Sequence, residues 1–188
     1  MFGQSLCRGI LRLFGWKWET SIPDLDKCVI CVAPHPSNWD FIMGKLAYTA
    51  LGRSANFVIK NEWLKGPTGW ILIKLGGIGV DRSKPSMFTD QMAELYRTRA
   101  KFNLAITPEG TRKPNPKWKK GFYHIAMKAH VPITLVKIDY AKKEMALFDV
   151  FEPTGDEQAD IFAIQQKYVG VSAKYPENFV LPSKPLVK

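Results

Sequence analysis

Residues 28 to 33, CVICVA, form a continuous apolar run of the length expected for a strand buried on both faces. FNLAIT at 102 to 107 reads the same way, and ANFVIK at 55 to 60 alternates in the manner of a half-buried strand. A brief strand is expected at Ile78 to Val80, and two longer ones, VPITLVKIDY and EMALFDVFEP, are joined through Ala141-Lys142-Lys143. Helical spacing fills the intervals. Ser37 or Asn38 is placed to cap a helix through Phe41, Ile42, Leu46, Ala47 and Leu51, and Ser86 one in which Phe88, Met92, Leu95 and Tyr96 share a face. A short helix, WILIKL, follows Gly66-Pro67-Thr68-Gly69 and ends at Gly76-Gly77. FYHIAMKAH forms another, and Ile161, Ile164 and Tyr168 mark the last.

This alternation predicts one α/β domain, a sandwich whose central sheet is mainly parallel and flanked by helices. A chain of 188 residues, 46% of them hydrophobic, suits a single core. In such folds ligands gather beyond the carboxyl ends of the strands. Three polar segments fall there: Pro-His-Pro-Ser-Asn-Trp-Asp at 34 to 40, Asp81-Arg82, and the basic, proline-rich loop that opens with Glu109-Gly110-Thr111-Arg112.

The N-terminus adds an amphipathic, basic helix. At helical spacing Phe2, Leu6, Ile10, Leu13 and Phe14 share one arc, with Gln4, Ser5, Arg8 and Arg12 opposite. Followed by Trp16 and Trp18, it suits a bilayer interface with indoles at headgroup depth, or equally a helix docked on the core. Arg8 and Arg12 interrupt any secretory signal, and no apolar stretch approaches the roughly 18 residues of a membrane span.

Charge narrows the partners. Lys and Arg total 27 against 17 Asp and Glu, a net +10, which favours a phosphorylated substrate, an anionic membrane surface or nucleic acid. The three cysteines, an odd number, point to a reducing compartment. Cys28 and Cys31 spell C-x-x-C, yet on a strand they face opposite sides, so a metal or redox pair is not expected. His124 and His130 likewise fall on opposite faces of their helix, and no zinc set is expected.

His35 is the candidate for proton chemistry, because a carboxylate on one ring nitrogen would fix the tautomer that leaves the other free to accept a proton. Asp40 is placed to fold back for this. The same residues would also serve as a plain turn into a helix. Ser37 lacks the surroundings of a nucleophile. Arg82 and Arg112 each follow a strand and a glycine, a setting for bidentate binding of phosphate, with the Thr111 hydroxyl alongside. Glu109 and Arg112 could instead pair with each other across the turn.

Four segments stand in order: PHPSNWD at 34 to 40, GGIGVDR at 76 to 82, TPEGTR at 107 to 112 and VPITLV at 131 to 136. Together they resemble the four sequence blocks of the glycerolipid acyltransferase superfamily, typified by 1-acylglycerol-3-phosphate acyltransferases. WKKGFYHIA and the later TGDEQAD resemble a small bacterial lysophospholipid-acyltransferase subgroup. The resemblance implies that His35 is the general base acting on the acceptor hydroxyl and that Asp40 orients it. It implies that Arg82, Gly110, Thr111 and Arg112 hold the acceptor's phosphate, with Glu109 positioning Arg112 or the loop. Val131, Pro132 and Ile133 would be structural. Pro34, Gly79 and Leu135 depart from the family pattern, none at a proposed catalytic side chain.

On this resemblance the expected acceptor is a lysophospholipid, most of all 1-acylglycerol-3-phosphate. The expected donor is acyl-CoA or acyl carrier protein, with no cofactor and no metal. A lyso-aminolipid, glycerol-3-phosphate or a lipid A precursor is the alternative acceptor. A nucleic-acid-binding module is the distant alternative; it lacks a recognisable motif, so no nucleic acid is expected. Residues 1 to 20 would then be a membrane-surface helix and 21 to 188 the acyltransferase domain, a cytoplasmic protein peripheral on the inner face of the cell membrane.

Overall fold

The computed structural model describes residues 2–80 and 85–185. Asp81 and Arg82 lie outside the described residues. Helix α1 (Phe2–Leu13) leads into β1 (Lys17–Thr20), β2 (Lys27–Ala33), α2 (Asn38–Ala50) and β3 (Asn56–Lys60). Two short helices, α3 (Asn61–Leu64) and α4 (Gly69–Lys74), precede β4 (Gly77–Val80) and α5 (Pro85–Thr98). Then come β5 (Phe102–Ile106), α6 (Gly121–Ala129), β6 (Ile133–Asp139), β7 (Glu144–Phe151) and α7 (Glu157–Gln166). Ser86, read from sequence as a cap, falls inside α5.

Among the described residues the strands form one seven-stranded sheet in the order β1-β7-β6-β2-β5-β3-β4. All neighbours are parallel except β6 and β7, the hairpin pair, so β7 and its partner β1 run against the other strands. The expected mainly parallel sandwich is what the chain forms. The hairpin is the exception because its connection is too short for a crossover.

Strand β2 sits at the middle and is buried on both faces, which accounts for its unbroken apolar run. Cys28 and Ile30 face α1 and α2, while Val29, Cys31 and Ala33 face the core built with α5, α6 and α7. The two thiols of the C-x-x-C therefore lie on opposite sides of the sheet, both free. Two buried tyrosines fix the strand further: Tyr96 donates to the Cys28 carbonyl at 2.7 Å and Tyr168 to that of Cys31 at 2.8 Å. Asn103 of β5 takes the Cys28 N–H at 3.0 Å and donates to the Leu25 carbonyl.

Neither β1 nor α3 was read from the sequence, nor was a short 3-10 turn at Pro176–Asn178. KWET in β1 is a largely exposed edge strand whose pairing with β7 is long-range, so it carries no local pattern. At the N-terminus, α1 docks on α2 through Leu11, and Gln4 and Arg8 both donate to the Ala50 carbonyl at the end of α2. Leu6, Leu13 and Phe14 remain exposed. Trp16 and Trp18, read from sequence as suiting headgroup depth or a helix docked on the core, are partly buried against the core, Trp16 edge-on to Tyr140 at 5.0 Å. No helix among the described residues is long and apolar enough to cross a membrane.

Candidate active site

His35 follows the end of β2, after a cis Ala33–Pro34 peptide. Helix α2 starts immediately afterwards because Ser37 and Asp40 form a reciprocal capping box. The Ser37 hydroxyl accepts from the Trp39 N–H, and Asp40 Oδ2 accepts from the Ser37 N–H at 2.7 Å. The spacing that places Asp40 three residues into the helix thus also turns its carboxylate back toward His35. Nδ1 of His35 stands 3.6 Å from Asp40 Oδ2; the imidazole is 20% exposed and the carboxylate fully buried. With Nδ1 turned to the acid, Nε2 lies on the far side of the ring, free to take a proton from a bound molecule.

The other carboxylate oxygen has a partner the sequence did not indicate. Tyr140, just past β6, donates its hydroxyl to Asp40 Oδ1 at 2.6 Å. Burial raises the Asp40 pKa, with the Tyr140 hydroxyl, the Ser37 N–H, His35 and Lys174 each opposing. Burial likewise lowers the pKa of His35, against the Asp40 charge and with that of Arg112. The imidazole is therefore kept neutral, the form a general base requires.

The loop after β5 closes the other side of the site. Glu109 is buried, and its Oε1 accepts the backbone N–H of His35 at 2.6 Å. It was read from sequence as positioning Arg112 or the loop; its carboxylate reaches the His35 backbone, a partner neither reading named. Gly110 has φ +65, and a Cβ there would stand 2.6 Å from Lys119 Cγ, so this position needs glycine on both counts. The Thr111 hydroxyl accepts from the Lys113 N–H at 3.2 Å, which leaves its own proton available to donate. Arg112 is exposed, near enough for its charge to bear on His35. The loop is stapled by Asn115, which donates to the carbonyls of Glu109 and Lys117, and by Trp118, buried against Phe122 and Tyr168.

Thus His35, Asp40, Glu109 and the 110–112 turn converge at the carboxyl ends of the adjacent strands β2 and β5. The TGDEQAD stretch is structural. Asp160 accepts from Tyr123 at 2.8 Å and from the Thr154 N–H and hydroxyl, while Asp156 caps α7. Among the described residues no cluster of His, Cys, Asp and Glu is arranged to hold a metal.

The model of the acyltransferase family matches residues 19–138, a span that contains His35, Asp40, Glu109 and the 110–112 turn and ends two residues before Tyr140. The chain belongs to the acyltransferase family. It falls within the PlsC-like glycerolipid superfamily that its four ordered blocks resemble. Over 139 residues it is 32% identical to human 1-acyl-sn-glycerol-3-phosphate acyltransferase beta, covering 69% of this chain and 49% of that protein. It is 39% identical over 61 residues to the 1-acyl-sn-glycerol-3-phosphate acyltransferase of Limnanthes alba, covering 30% of this chain and 22% of the relative. The chain thus spans half or less of the length of these relatives. The fold is similar to the crystal structure of the 1-acyl-sn-glycerophosphate acyltransferase PlsC from Thermotoga maritima. The TM-score is 0.55 at 20% identity, over 91% of this chain and 80% of that one.

Within this candidate site, Tyr140→Phe tests the unforeseen partner. Losing one charge-assisted donor should lower kcat about tenfold with KM little changed, and add almost nothing in an Asp40→Asn background. Equal losses in both backgrounds would make Tyr140 a packing residue only.

Glu109 offers a pH test. Burial raises its pKa to about 7, opposed by the His35 N–H and reinforced by the Asp40 charge. A carboxyl held above its ordinary 4.5 binds its proton more tightly folded than unfolded. Its stabilisation is therefore greatest at low pH and is lost as pH rises from about 4.5 to about 7. Urea unfolding should show the wild type losing on the order of 3 kcal/mol across that window, a loss absent in Glu109→Gln. Parallel pH profiles for the two proteins would refute the assignment.

Proposed function

We propose that this acyltransferase moves a fatty acyl group from acyl-CoA or acyl carrier protein to the free hydroxyl of a lysophospholipid, with 1-acylglycerol-3-phosphate as the preferred acceptor. The observation that carries this is the partly open His35 imidazole with Nδ1 facing the buried Asp40. Nε2 takes the proton of the acceptor hydroxyl as its oxygen attacks the thioester carbonyl. The C–O bond forms, the C–S bond breaks, and the departing thiolate recovers the proton from the imidazolium. Asp40 steadies the transient positive ring. No acyl-enzyme and no cofactor enter this chemistry.

Arg112, the Gly110 backbone and the Thr111 hydroxyl receive the acceptor's phosphate, a role the sequence resemblance extends to Arg82. The net +10 suits anionic headgroups and an acidic carrier. Residues 1 to 20 meet lipid through the exposed Leu6, Leu13 and Phe14 of α1, and the rest of the chain carries the chemistry on the inner face of the cell membrane.

The test is a matrix of acyl donors and acceptors with purified protein, read by mass spectrometry of the lipid product. Lysophosphatidate should turn over best, and Arg112→Ala should raise its KM by about tenfold or more with a smaller effect on uncharged acceptors. An acceptor lacking phosphate that is preferred, and indifferent to Arg112→Ala, would redirect the assignment to a lyso-aminolipid or related molecule.

A further inference from the structure

We propose that helices α3 and α4, together with the outer face of the first turns of α2, form a membrane-docking surface that seats this site on an anionic bilayer. The inference rests on the membrane-surface reading above and names a second face, beyond α1, that makes the contact.

Helix α4 reads GWILIK, and its apolar side chains are mostly not buried. Trp63 is 64% exposed, Trp70 59% and Ile73 57%, with Ile71 beside them. The patch runs on to α2. Phe41 packs edge-on against Phe57 of β3, and Lys45 of α2 donates to the carbonyls of Ala55 and Leu75, tying the end of α4 to α2. Phe41 and Ile42 are exposed on that side. Helix α2 begins at the capping box that holds Asp40, so this apolar face adjoins the mouth of the site.

Charge selects the occupant. Lys60, Lys65 and Lys74 flank the patch, and the Lys74 ammonium stands 5.0 Å from the centre of the Trp70 ring. Glu62 is the one acidic residue between positions 60 and 75. Indoles with a polar N–H edge, interleaved with lysines whose stems lie along apolar surface, match the boundary between headgroups and acyl chains. A protein partner would call for a mixed-sign polar rim; this rim is almost wholly cationic.

The experiment is vesicle co-sedimentation of the full chain, using phosphatidylcholine alone and phosphatidylcholine mixed with phosphatidylglycerol. Binding should favour the mixed vesicles, and Trp63→Ser/Trp70→Ser should weaken it by about tenfold or more. A Trp63→Phe/Trp70→Phe pair should keep most of the binding while fluorescence quenching by brominated lipid falls to what Trp39 at the start of α2 still gives. Circular dichroism checks that each variant folds. Acyl transfer to a water-soluble short-chain acceptor should be unchanged, which separates this claim from the catalytic one.

Three results would overturn the proposal. The first is undiminished binding by the serine pair, with loss on Leu13→Ser/Phe14→Ser instead. The second is no vesicle binding by the wild type. The third is a dimer that the serine pair converts to monomer, which would assign the patch to a second copy of the chain.

Discussion

Replacing His35 with alanine is expected to lower kcat for acyl transfer by roughly 10²- to 10⁴-fold, the range a positioned general base supplies. The protein should stay folded. The ring is part-exposed, and the contact that ties this residue to the third sequence block is made by its backbone N–H, which alanine keeps. The loss should fall on kcat and kcat/KM alike, because in the proposed reaction the imidazole acts on the hydroxyl proton in the transition state and contributes little to holding the acceptor. His35→Gln, closer in shape, should be comparably impaired. Turnover within tenfold of wild type in either variant, with an unchanged urea midpoint, would remove His35 from the chemistry.

Asp40→Asn should be costly in a second way. The carboxylate accepts from the Ser37 N–H on one oxygen and from the Tyr140 hydroxyl on the other, both in a buried setting. An amide has only one oxygen. With that oxygen on the Ser37 N–H, the NH2 donates to the Tyr140 hydroxyl oxygen, whose own proton then loses its acceptor; flipped, the NH2 meets the Ser37 N–H and opens half of the capping box. Either way the loss is about 1–3 kcal/mol in stability. Activity should fall by about 10²-fold or more as the imidazolium loses its counter-charge. Destabilisation without a fall in kcat would reduce Asp40 to a helix cap. Urea unfolding and steady-state kinetics on the same preparation separate the two roles.

What the sequence disclosed and what it hid divide by distance along the chain. The central strand, the cap at Ser37, and the grouping of His35 with Asp40 are local, and the run CVICVA followed by PHPSNWD states them between residues 28 and 40. The blocks around 109 to 112 were legible as a unit, and the parallel pairing of β2 with β5 brings them to His35. Tyr140 had no such signal: it lies 100 residues from Asp40, just past the strand that pairs with the other side of β2. The Glu109 carboxylate reaches across 74 residues to a backbone N–H, a partner that no side-chain pattern announces. Trp16 and Trp18 left two readings open for a related reason. Amphipathic flanking residues look alike whether lipid or a distant tyrosine covers them.

The two cysteines on opposite faces of β2 have a practical corollary. Burial pushes the Cys28 thiol up to about 11 and that of Cys31 to about 12, so neither supplies thiolate for alkylation near neutral pH. Cys7, half-buried on α1, is then the position where a maleimide dye would attach in the untouched chain. A probe placed there would report on the environment of the N-terminal helix without any engineered mutation.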